Sequence, residues 1–164
     1  MFTKKTILMV ATGSALVLSA GALAVQQTDS RNWLTDADSD TRYERLEYYL
    51  GGFSSAMWET GERYRHTEQA IYDENYELAY YHWDKIKGAI ERGAMKRPDR
   101  RENAEAMFLD GAWEVLAEAL QEPEEHDVRG AFQQVKGACM ACHSAEEVPF
   151  MNDQPLFRDG PLGD

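Results

Sequence analysis

Two cysteines and a histidine lie close together near the end of the chain, in the stretch CMACH at residues 139–143. Cys139 and Cys142 are three positions apart, so in a helix both thiols face the same side. His143 follows directly. This is the pattern of c-type haem attachment, in which two thiols add to the vinyl groups of a porphyrin and the imidazole binds the iron. The pattern predicts one covalently attached haem c, held by Cys139 and Cys142, with His143 as the proximal iron ligand.

Other sites use cysteines at this spacing, and the rest of the sequence argues against them. A thioredoxin-like dithiol belongs to a strand–helix unit, and the sequence has little of the alternation that marks strands. A zinc site needs two further ligands, yet the chain contains only these two cysteines. A disulfide between them would close a very short loop and stabilise little. Haem attachment remains the favoured interpretation.

The N-terminus has the composition of an export signal. Lys4 and Lys5 precede an apolar run over residues 7–23, and Ala22-Leu23-Ala24 has the small-x-small form of a cleavage site. We predict a signal peptide over residues 1–24 and a periplasmic protein. The alternative is an uncleaved N-terminal membrane anchor, because the run is nearly long enough to span a bilayer.

The exported chain is strongly acidic. Without Lys4 and Lys5 it keeps 15 basic against 29 acidic side chains, a net charge near −14. Such a surface argues against nucleic acid as a partner. It suits a redox protein with a basic surface, met by electrostatic steering. The plain alternative is that the charge confers solubility.

Helical periodicity dominates the rest of the sequence and predicts an all-α fold. After a polar spacer at residues 25–40, we expect a domain at 41–148 built as an antiparallel up-down-up-down four-helix bundle. The Pro- and Gly-punctuated tail at 149–164 is predicted to be irregular. The expected inward positions of the four helices are, in chain order, Tyr43, Leu46, Leu50, Phe53, Met57 and Tyr64; Ala79, Trp83, Ile86 and Ile90; Ala104, Phe108, Ala112, Val115 and Ala119; and Val128, Phe132, Val135, Cys139 and Cys142.

A helical bundle with C-x-x-C-H on its last helix resembles the class II cytochromes c, the cytochrome c prime group. The resemblance covers residues 41–147 and rests on the segment VKGACMACH together with the architecture. It implies a monohaem protein without catalytic turnover, and a possible homodimer formed through the first helices. The chain departs from the family at Glu146 and Glu147, where a basic residue is often found.

The resemblance also raises the question of the sixth iron ligand, which is a methionine in some members and absent in others. His143 lies about 25 Å from the turn near His126, and Met57 lies about 24 Å from the turn near Asp73, at the same end of the bundle. Met57 is therefore the predicted distal ligand, with Phe53 beside it in the haem pocket and Met107 as the rival. Met is also a common filler of cores.

These observations predict an exported one-electron carrier with His/Met-ligated haem. One alternative is a five-coordinate haem protein that binds NO or CO at an open site near Phe53 and Met57. Another is a haem subunit of a larger oxidoreductase.

Overall fold

The computed structural model describes residues 32–162, and this part of the chain is all-helical, with no strand. The predicted signal peptide and the first part of the spacer lie outside the described residues. The helices are α1 (Ser39–Leu50), α2 (Phe53–Tyr72), α3 (Tyr76–Lys96), α4 (Arg101–Ala104), α5 (Ala112–Gln121), α6 (Val128–Ala145) and α7 (Pro155–Arg158). Within residues 32–162, none of the helices combines the length and apolarity needed to cross a bilayer.

The first predicted helix is two helices, α1 and α2, separated at Gly51-Gly52. Gly51 has φ +65°, a left-handed conformation that favours glycine, and its N–H closes α1 by donating to the carbonyls of Glu47 and Tyr48. No residue of α1 is buried, and Tyr43 and Leu50 are exposed. The prediction that Tyr43 and Leu50 face inward is wrong, because the helix breaks at Gly51 and the inward face of α2 does not continue into α1.

Helices α2 and α3 run antiparallel and pack closely. Near the start of α2, Ala56 lies against Gly93 near the end of α3. Further along α2, Arg63 is bonded to His82, which lies earlier in α3, so the two helices run in opposite directions. A Cβ on Gly93 would lie 2.8 Å from the Cβ of Ala56, so only glycine allows this approach. The turn between the helices is short, and short connections join helices that run antiparallel.

The third predicted helix is interrupted. A 3-10 turn, Pro98–Arg100, leads into α4, and a π-helical segment, Glu105–Leu109, separates α4 from α5. A π turn holds one more residue than an α turn, so it rotates the face that follows. Leu116 is therefore buried, whereas Val115, predicted to point inward, is exposed.

Two tryptophans join α3 to α5. The indole N–H of Trp83 donates to the carbonyl of Trp113 at 2.9 Å, and that of Trp113 donates to the carbonyl of Trp83 at 3.3 Å. Trp83 is fully buried against Phe108. These two hydrogen bonds satisfy the indole N–H groups that the large side chains carry toward the core.

Helix α6 begins where Asp127 accepts from the N–H of Gly130 at 2.9 Å, an N-cap. It contacts α5, the π-helical segment and α2. Phe132 and Val135 are buried, and the ring of Phe132 lies 4.7 Å from that of Tyr64 in α2.

The tail is more ordered than the sequence predicted. It forms a 3-10 turn, Pro149–Asn152, and then α7, where the prediction had an irregular segment. Each begins with a proline, whose fixed φ suits the first position of a helix. Phe157 of α7 is buried against the core and holds the segment in place.

Candidate haem-attachment site

The predicted attachment residues share the last two turns of α6. Both thiols are free, and both cysteines are half-buried, as is His143. Cys139 packs against the core cluster beside Tyr64. Two free thiols and an imidazole on one helix face match the chemistry that covalent haem attachment requires.

The two thiols have different surroundings. Burial raises the pKa of the Cys139 thiol to about 12. The pKa of Cys142 is also raised, by burial and then by the carboxylate of Glu146, while Arg100 works against the shift. Dithiol exchange uses the thiolate and is favoured by a lowered cysteine pKa, whereas the pKa of both thiols is raised here.

His143 is held from the tail. Its Nδ1 lies 2.9 Å from Oδ1 of Asn152, and the Asn152 amide nitrogen donates to the carbonyl of Met140 at 3.0 Å. The imidazole also lies against the ring of Phe157, with 5.9 Å between centroids. The bond to Asn152 engages Nδ1 and leaves Nε2 to act as a metal ligand.

A charged network lies beside Cys142. Glu146 pairs with Arg100 and accepts from the side-chain amide of Asn103 at 2.7 Å. In this chain the carboxylate ties the end of α6 to the segment at Arg100–Asn103.

Met57 and Phe53, the residues predicted for the other side of the iron, both lie in α2, half-buried and packed against the core cluster. The ring of Phe53 lies against Gly93 of α3. The rival, Met107, is half-buried in the π-helical segment.

The remaining histidines lie elsewhere. His66 and His82 stack on each other across α2 and α3, with 5.0 Å between ring centroids. The pKa of His82 is lowered by burial and then by the neighbouring His66 and Arg63. His126 is exposed, 3.7 Å from a carboxylate oxygen of Glu122.

Sequence reasoning missed the residues of the tail. Asn152 and Phe157 contact His143, and Leu156 lies against Gly61 of α2. The two prolines, Pro149 and Pro155, were the available signal, because proline often opens a helical turn. No sequence pattern pairs an asparagine with a histidine nine residues earlier.

Comparison with known proteins gives no match: no protein-family model, no curated protein and no solved structure is similar to this chain.

Proposed function

We propose that the protein is an exported monohaem c-type cytochrome of class II type that carries single electrons. The single observation that supports this most is the site on α6, where two free thiols and a half-buried imidazole share one face near the chain end. The long helices α2, α3 and α6, with α4 and α5 as an interrupted fourth, support the finer proposal of a four-helix bundle.

Each residue has a defined part in this proposal. Cys139 and Cys142 would hold the macrocycle covalently, His143 would be the proximal iron ligand, and Met57 would be the distal one. The bound haem supplies a one-electron iron couple, and a thioether ligand raises its potential. Cys139 packs against the core cluster, which covers that side of the site in part. No substrate is turned over, so the protein is not an enzyme under this proposal.

Intact mass spectrometry tests export and attachment together. Produced in a host that matures c-type cytochromes, the chain is expected to lose residues 1–24 and gain the mass of one haem. Cys139→Ala with Cys142→Ala should lose the covalent haem. A product with free thiols in that host would contradict the proposal, and an unprocessed N-terminus would favour the membrane anchor.

The optical spectrum with and without CO tests the sixth ligand. A low-spin iron that is indifferent to CO supports the electron carrier, and Met57→Ala should convert it to a CO-binding form. Met95→Ala is the matched control, because Met95 is exposed on α3. Conversion by Met107→Ala instead would reassign the ligand. A wild-type protein that takes up CO readily would favour the gas-binding function.

A further inference from the structure

The tail packs against both α2 and α6 and reaches His143. Asn152, at the end of the 3-10 turn, places its side-chain oxygen 2.9 Å from Nδ1 of His143. Its side-chain nitrogen lies 3.0 Å from the Met140 carbonyl oxygen and 3.4 Å from the Ser144 hydroxyl oxygen. One amide therefore bridges the imidazole and the backbone of the helix that carries it.

The Met140 carbonyl fixes the direction of this amide. A carbonyl oxygen only accepts hydrogen bonds, so the group that faces it must be the NH₂ of Asn152. The Asn152 oxygen, also an acceptor, is then directed at Nδ1, which must carry the proton. A neutral imidazole protonated at Nδ1 presents the lone pair of Nε2 to a metal.

The tail is anchored well enough to hold Asn152 in this position. Phe157 is buried and lies 5.7 Å from the ring of Tyr64 and 5.9 Å from that of His143. Further along, the N–H of Leu162 donates to the buried carboxylate of Glu68. Gly160 lies so close to that carboxylate that no Cβ fits between them. Contacts on both α2 and α6 therefore fix the segment that carries Asn152.

We propose that Asn152 is a positioning residue for the proximal ligand: it holds His143 in the Nδ1–H tautomer and sets how strongly the imidazole donates to the iron. Only the effect on the iron rests on the proposed function, because the tautomer of His143 is a property of this chain alone. Outer partners of metal-bound histidines orient the ring and raise its basicity in this way.

Two variants and one control test the proposal. Asn152→Leu keeps the branched shape of the side chain and removes both its acceptor and its donor. Asn152→Asp replaces a neutral acceptor by a charged one. Gln154→Ala is the control, because Gln154 is in the same tail but bonds the carbonyl of Met151 rather than His143. The readouts are the ¹⁵N spectrum of His143 in the full-length chain produced without haem attachment, where Nε2 is free to take the proton, and the midpoint potential and melting temperature of the haem-bearing protein.

Wild type and Gln154→Ala are expected to give a single Nδ1–H tautomer, and Asn152→Leu a mixture. Asn152→Leu should raise the potential and Asn152→Asp lower it, because the acceptor at Nδ1 controls electron donation by the ring. We expect about a tenfold change in the ratio of ferric to ferrous affinity, which is equivalent to about 59 mV.

An Asn152→Leu variant that melts like wild type and keeps both its tautomer and its potential would overturn the proposal. If Asn152→Leu fails to fold, the potential and tautomer of Asn152→Asp decide. A protein purified without haem would contradict the proposed function alone, and the ¹⁵N spectrum would still test the tautomer.

Discussion

The thiols of Cys139 and Cys142 are separated by two residues but are expected to react at different rates. With the pKa of Cys139 raised to about 12, its thiolate fraction at pH 8 is about a thousandfold below that of an ordinary cysteine. In chain produced without haem attachment, we expect iodoacetamide to label Cys142 well before Cys139. Peptide mass spectrometry of timed samples measures both rates.

The same labelling in urea is the control, because unfolding removes the burial that separates the two thiols, and the rates should become similar. Equal rates in the folded chain would show that Cys139 is not shielded as the core packing indicates.

At the scale of single residues, the sequence was sufficient to identify those that belong to a motif. It could not identify residues whose role depends on how the chain folds back. The spacing of Cys139, Cys142 and His143 was enough to single them out. Asn152 and Glu68 gain their importance from the return of the tail, and each is an ordinary polar residue until that path is known. Met57 and Phe53 are half-buried against the core cluster, and their predicted part in haem binding stays a prediction.

Among the elements, α1 contributes least to the packed core. It buries no residue, and its links to the end of α3 and the residue that follows it include an exposed bond from Lys96 to the carbonyl of Leu50 and a 3.6 Å pair of Arg97 with Glu47. Exposed pairs contribute at most about 1 kcal/mol. Deletion of residues 33–50 is therefore expected to change the melting temperature by no more than about 5 °C.

Deletion of residues 149–164 is the matched comparison, because it removes a similar length but includes the buried Phe157. Loss of a buried phenylalanine costs about 3–5 kcal/mol, so this variant should melt far below wild type. Circular dichroism measures both. A large loss of stability on removing α1, or none on removing the tail, would contradict these assignments.

The errors in predicting elements share one cause. Periodicity gives the face of a helix only while the helix continues, and it does not mark where a helix breaks. Gly51 and the π-helical segment each reset the direction of the face, so Tyr43, Leu50 and Val115 were misplaced while Trp83, Phe132 and Val135 on uninterrupted helices were placed correctly. The helical class was predictable because periodicity survives such breaks on average.

At the scale of the whole molecule, the docking of the tail makes stability depend on pH through Glu68. Burial raises the pKa of this carboxyl above its ordinary value of 4.5, and the N–H of Leu162 and the charge of Lys136 offset part of the shift. Between 4.5 and the raised pKa, the folded chain binds more protons than the unfolded chain. The stabilisation linked to Glu68 is thus complete below pH 4.5 and is lost as pH rises through the folded pKa.

Glu68→Gln removes this titration. We expect wild type to lose stability relative to Glu68→Gln as pH rises from 4 to 7, as measured by melting both proteins over that range. Glu77→Gln, at an exposed position of α3, is the control for the exchange itself. A constant difference between wild type and Glu68→Gln, or one of opposite slope, would show that Glu68 ionises without cost in the folded chain.

Under the proposed function, the acidic surface should govern the encounter with a charged redox partner. Several of the few cations are already paired, as Arg100 is with Glu146, Arg101 with Glu105 and Arg92 with Glu59. The remaining field is negative, and it reaches about 30 Å at 0.01 M salt but about 10 Å at 0.1 M. It therefore attracts cations most strongly at low ionic strength.

If the protein carries electrons as proposed, oxidation of its reduced form by a cationic cobalt complex should slow as salt rises from 0.01 to 0.1 M. Oxidation by ferricyanide, an anion, should accelerate over the same range. Stopped-flow absorbance of the haem measures both, and the opposite charge of the two oxidants is the internal control. If salt changed the rates with both oxidants in the same direction, the field of the acidic residues would not act at the site of electron transfer. The acidic residues would then serve solubility instead.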